Sequence, residues 1–109
     1  MHELSITQSV VDAVLEKLPD QPIAVVSLEI GTLSGIEPDA LRFCFELVTA
    51  GTTLQGAELQ ISRPQGRAHC SSCQADFDLD TCILLCPCGS ADVQVRSGGQ
   101  LLISSVMVA

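Results

Sequence analysis

The chain has 109 residues, with 13 acidic against 5 basic side chains and a formal net charge of −8. That length fits one domain with at most a small appendage, and an acidic surface of this kind argues against nucleic acid or an anionic membrane as a partner. No stretch reaches the roughly 18 apolar residues of a membrane span, and Asp12 and Glu16 break the apolar run that a signal peptide would need. The expectation is a cytoplasmic protein, in which the six cysteines serve as thiolates for metal and not as disulfides.

The opening "MHELS" places a histidine directly behind the initiating methionine. With Met1 retained, its α-amine, the backbone nitrogen of His2 and the His2 ring can close fused chelate rings on one metal ion; the plainer reading is a solvated helix start. Residues 5–18 then put Ile6, Val10, Val11, Val14, Leu15 and Leu18 at helical spacing, with Ser5 and Gln8 spaced as a capping box and "PDQP" as the stop. "IAVVSLEI" (23–30) reads as a strand closed by Gly31. Pro38 suits the first turn of a second helix over 39–50, ended by Gly51, on which Cys44 reads as a small buried hydrophobe.

"AELQISR" (57–63) alternates as a half-buried strand should. From Pro64 to about Ser97 the chain is rich in cysteine and poor in large apolar side chains, so this segment needs a staple other than a core. After Gly98-Gly99, "QLLISSVMV" (100–108) reads as a strand that returns to the first sheet and pairs with 23–30 and 57–63. The whole is therefore an α+β fold: two helices packed on a three-stranded sheet, with an inserted zinc-ribbon module. The expected division is 1–63 plus 98–109 for the α/β domain and 64–97 for the ribbon.

"HCSSC" holds Cys70 and Cys73 at the spacing with which a tight turn grips a tetrahedral ion, and "CPCGS" brings Cys86 and Cys88 after twelve intervening residues. Four thiolates select zinc, with iron as the alternative. The second half is a CxC in place of the usual CxxC. Cys82 is thus an alternative ligand to Cys88, although Pro87 and Gly89 suit a metal-binding turn better than "CILL" does. His69 could supply a nitrogen ligand but, adjacent to Cys70, is expected to point away. A dithiol redox enzyme would use Cys70 and Cys73 alone, and the second cysteine pair argues against it. No nucleotide-binding loop, GxSxG elbow or HExxH motif occurs, so the chain does not read as an enzyme.

Taken together, "MHELSI", "IGTLSGIEPDALRFCFELV", "CSSC…CPCGS" and the last strand resemble the HypA/HybF family of nickel-insertion accessory proteins for NiFe hydrogenase, over essentially the whole chain. The resemblance implies a metallochaperone with structural zinc at Cys70, Cys73, Cys86 and Cys88 and transferable nickel at the N-terminus. It implies nickel ligands from the Met1 amine, the His2 ring and backbone nitrogen, and the Glu3 backbone nitrogen with its carboxylate. An acidic residue of the loop before the second helix falls on Glu37, with Asp39 as the fallback. Implied partners are the hydrogenase large subunit and a separate HypB-type GTPase; homodimerisation is left open. The rival reading is a zinc-ribbon interaction module that carries no nickel.

Overall fold

The computed structural model describes residues 2–81 and 83–109. Eight elements follow in order: α1 (Glu3–Lys17), β1 (Ile23–Ile30), α2 (Pro38–Thr49), β2 (Glu58–Ser62), β3 (Gly66–Cys70), β4 (Asp76–Leu79), β5 (Val93–Ser97) and β6 (Leu101–Val108). The chain divides into two compact units, one of Met1–Leu28, Ile36–Ile61 and Leu102–Ala109, the other of Glu29–Gly35 and Ser62–Leu101.

In the first unit α1 and α2 pack together over the three-stranded sheet β2-β1-β6. The apolar positions that recur at helical spacing on α1 are buried, as are alternate positions of β1. Val10, Val11 and Val14 are buried with Val26 and Leu28, and α2 adds Leu41 and Phe45. The helix α1 begins two residues earlier than its apolar period suggests. Ser5 therefore lies inside it, no side chain caps it, and Gln8 donates to Asp12 Oδ1 at 2.8 Å instead of closing a capping box. Pro38 opens α2 as expected, since its missing N–H costs nothing in the first turn.

Two expectations need correction. The last strand joins the sheet but lies beside β1 alone, because β1 takes the centre and β2 the opposite edge. Gly31 N donates to Gln100 O at 2.9 Å and Ala109 N to Pro22 O at 2.8 Å, so β6 runs antiparallel to β1. Cys44 is half-buried, not buried, because the helix turns Phe45 into the core and leaves Phe43 64 % exposed.

The second unit is built on the antiparallel sheet β4-β3-β5. Its large buried apolar side chains are few, Ile30 and Leu79 among them, alongside Ala68, Cys70 and Cys86. Backbones cross closely here: a Cβ on Gly98 would lie 2.4 Å from Gly66 Cα, and Gly98 has φ +103°, a conformation that side chains strain. Leu33 N donates to Gly98 O at 2.8 Å across this crossing.

Candidate metal centres

In the second unit, β3 ends at Cys70 and the turn Ser71–Cys73 leads to Gln74, whose φ of +62° reverses the chain. A second turn, Cys86–Gly89, ends the same way in Gly89 at φ +96°. Each turn aims an amide at a sulfur: Cys73 N–H points to Cys70 Sγ at 3.5 Å and Cys88 N–H to Cys86 Sγ at 3.4 Å. The shortened CxC thus still forms a knuckle, with Gly89 N donating to Cys86 O at 2.8 Å. The hydroxyls of Ser72 and Ser90, 2.8 Å apart, tie one knuckle to the other.

The four sulfurs of Cys70, Cys73, Cys86 and Cys88 lie within 4.8 Å of one another. Cys70 Sγ is 3.7 Å from Cys88 Sγ, and Cys73 Sγ is 3.6 Å from Cys86 Sγ. A tetrahedron with metal–sulfur bonds of about 2.3 Å has edges of about 3.8 Å, so these residues fit a tetrahedral thiolate-bound ion as they stand. The five described cysteines are free thiols; Cys82, the alternative ligand, lies outside the described residues.

The thiols are not equivalent. The Cys73 backbone N–H, followed by that of Ser72 and neighbouring thiols, outweighs burial and draws Cys70 down to about 6. At Cys86 the Cys88 N–H favours the thiolate, but burial and the adjoining Cys88, Cys73 and Cys70 prevail and push it up to about 12. Metal binding to this cluster therefore displaces protons from thiols that would otherwise hold them. His69 takes no place in the cluster: its Nδ1 lies 2.6 Å from Asp76 Oδ1.

At the other end of the chain, His2 is exposed at the N-cap position of α1, and its carbonyl accepts from Ile6 N at 3.0 Å. Glu3 is buried in the first helical turn. Its Oε2 accepts from the backbone N–H of Glu37 at 3.2 Å, and its carbonyl from Thr7 Oγ1 at 2.6 Å. A carboxylate is well placed at the start of α2, where the helix dipole is positive. Glu37 is the N-cap residue of that helix and Asp39 stands exposed in its first turn. Two segments more than thirty residues apart in sequence thus meet at Glu3 and Glu37. Met1 lies outside the described residues. The link from Glu3 to Glu37 N–H has no sequence signal, since periodicity gives no reason to bury an acidic residue at a helix start.

Residues 1–108 match the family model described as hydrogenase/urease nickel incorporation, metallochaperone, hypA. Among curated relatives, the hydrogenase maturation factor HypA of Geotalea uraniireducens is 45% identical over 109 residues, covering 99% of both chains. That of Geobacter sulfurreducens is 44% identical with the same coverage. The solution structure of the nickel metallochaperone HypA from Helicobacter pylori superimposes with a TM-score of 0.67 at 22% identity, covering 99% of this chain and 97% of that one, which establishes the shared fold.

Proposed function

Because the chain belongs to the HypA family of nickel-incorporation metallochaperones for hydrogenase maturation, a family of maturation factors and not of enzymes, we propose that it carries one Ni(II) at its N-terminus. The Met1 amine, the His2 ring and backbone nitrogen and the Glu3 backbone nitrogen surround the ion, with Glu37 beside them and Asp39 as the fallback. Nickel is cargo, handed to the hydrogenase large subunit in the cytoplasm with help from a HypB-type GTPase. The four-cysteine cluster holds zinc, which staples the ribbon at residues 64–97, while 1–63 and 98–109 form the nickel-binding domain. The chain also associates as a homodimer.

The observation that carries the nickel reading is the bond from Glu37 N–H to the buried Glu3 carboxylate, because it holds the loop before α2 beside the His2–Glu3 segment. First-turn amides of a helix need no intrahelical carbonyl, so an amide nitrogen at Glu3 can be given over to a metal without breaking the helical ladder. Ni(II) favours tetragonal, nitrogen-rich coordination, which an amine, an imidazole and amides supply. An exposed histidine also allows exchange, as delivery requires.

The test is nickel titration of untagged protein with Met1 intact, read by calorimetry and metal analysis. His2→Ala, or an extension ahead of Met1, abolishes one-site nickel binding while zinc content stays constant. Affinity falls as pH drops, since protons compete for amine, ring and amides. Undiminished one-site binding in His2→Ala protein would overturn the N-terminal site, and wild-type protein that binds no nickel would leave a zinc-ribbon module without nickel transfer.

A further inference from the structure

The four sulfurs of the cysteine cluster differ in what surrounds them. Cys70 and Cys86 are 0 and 4 % exposed, whereas Cys73 and Cys88 are open to solvent. Cys70 Sγ faces the Cys73 N–H and Cys86 Sγ the Cys88 N–H, and the Ala75 N–H bonds to Cys73. Among the described residues no amide donates to Cys88 Sγ. Amide donors spread the charge of a thiolate and blunt its attack, and burial keeps reagents away. Cys88 lacks both protections, so it is the sulfur that an oxidant meets first, since susceptibility follows thiolate character and exposure.

Cys88 also has a partner within reach. The two close sulfur contacts run from one knuckle to the other, Cys88 to Cys70 at 3.7 Å and Cys73 to Cys86 at 3.6 Å. A disulfide of about 2.05 Å draws the first pair together by only about 1.7 Å. A bond inside the second knuckle would instead have to close over Pro87 alone, whose ring fixes its backbone angle. The Ser72 and Ser90 hydroxyls, 2.8 Å apart, and the Ser71 N–H on Asp92 O at 2.9 Å hold the two turns side by side independently of the sulfurs.

We propose that the cluster is a reversible peroxide-responsive switch, in which Cys88 is oxidised first and closes a disulfide with Cys70, releasing zinc. The oxidant is hydrogen peroxide. The Cys88 thiolate attacks one peroxide oxygen; the S–O bond forms as the O–O bond breaks, hydroxide leaves, and the two electrons lost by sulfur pass to oxygen. The Cys70 thiolate then attacks the sulfenic sulfur, forming the S–S bond and expelling a second hydroxide. Two thiolates and one peroxide thus become one disulfide and two hydroxides. With half its thiolates joined to each other, the cluster no longer offers four ligands to a tetrahedral ion. The new bond still ties knuckle to knuckle, so a thiol reductant with zinc restores the site. The switch rests on the zinc reading above and adds a regulation to that same site.

The test treats zinc-loaded, full-chain protein with hydrogen peroxide. Zinc release is followed with a chromogenic chelator, while mass spectrometry locates disulfides and dimedone-trapped sulfenic acid. Zinc leaves in step with a Cys70–Cys88 bond, dimedone marks Cys88, and reductant with added zinc returns full metal content. Cys88→His keeps four ligands without the reactive sulfur and slows release by about tenfold or more. Cys73→His, which retains Cys88, releases zinc at nearly the wild-type rate, as does Cys44→Ser combined with Cys82→Ser. Where Cys88→His fails to retain zinc, the mapping on wild-type protein decides by itself. Bonds confined to Cys70–Cys73 or Cys86–Cys88 overturn the pairing, and dimedone on Cys73 alone overturns the order of attack. Irreversible sulfinic acid without a disulfide, or zinc retained in excess peroxide, overturns the switch while leaving the zinc reading intact. Wild-type protein that holds no zinc before oxidation overturns the zinc reading, and the switch with it.

Discussion

The two units of this protein are held together by different chemistry. In the first, side chains from two helices and a sheet exclude water: Val11, Val26, Leu28, Leu41 and Leu54 are almost completely buried. The second has a short sheet and few large apolar side chains inside, and it gathers four sulfurs within 4.8 Å of one another. A core formed of methyl groups is stable by summation and tolerates the loss of one member. A tetrahedral site depends on all its ligands together, because each missing thiolate leaves the ion open and frees a whole turn of chain.

Removing one ligand should therefore have the largest and most local effect. Cys86→Ser is expected to abolish stoichiometric metal content and disorder the second unit, seen as collapse of amide dispersion for residues 66–97. The helical signal of α1 and α2 survives, since their core contains no cysteine ligand. Concerted loss of both units would erase the distinction drawn here.

A core truncation probes the other side. Leu41→Ala, at a position 1 % exposed, should destabilise the first unit by about 2–5 kcal/mol in denaturant titration. Metal content remains unchanged in native buffer. The contrast in readout, stability against metal content, is what separates the two modes.

Gly98→Ala is expected to cost more than about 1 kcal/mol, through positive φ and the crossing against Gly66, and to weaken metal retention only indirectly. Gly89→Ala shares the positive φ, but a Cβ there meets nothing within 4 Å, so it should be the milder change. Equal effects would mean that backbone conformation, and not the crossing, sets the cost.

The smallest effect belongs to the rim of the ribbon. The hydrogen bond from His69 is the main reason that the Asp76 carboxyl sits below its ordinary 3.8. A depressed carboxyl favours the folded state above the unfolded value, and this contribution is lost as pH falls through the lower folded value. Asp76 is exposed, so solvent screens most of it. Asp76→Asn should then leave stability at pH 7 nearly unchanged and slightly flatten its decline below about pH 4. A large loss at neutral pH would make the pair structural.

Much of this protein is legible without coordinates. The helical period of Val10, Val11 and Val14, the β-branched run of β1, Pro38 and Gly51 at the ends of α2, and the paired cysteine turns are local signals, each set by residues within a few positions of one another. The family resemblance rested on such signals, and it is the family to which the chain belongs. Signals that span the chain were not legible. Strand order is one: apolar pattern identifies β6 as a strand but cannot tell that β1 takes the centre and leaves β6 an edge. The crossing at Gly66 and Gly98 is another, because a glycine required by a neighbour's backbone looks like any turn glycine. Nor does any pattern announce that Glu3 is buried and accepts from Glu37 N–H, since helix-end propensity concerns only the first turn. Sequence thus determined α1, β1, α2, β2 and β6 and the paired cysteine turns, which depend on local backbone preference, while β3, β4 and β5 of the ribbon, short and without a clear apolar alternation, were not legible. The tertiary structure alone decided the strand order, the glycine crossing and the contact of Glu3 with Glu37, because these depend on how elements pack once their apolar faces are buried.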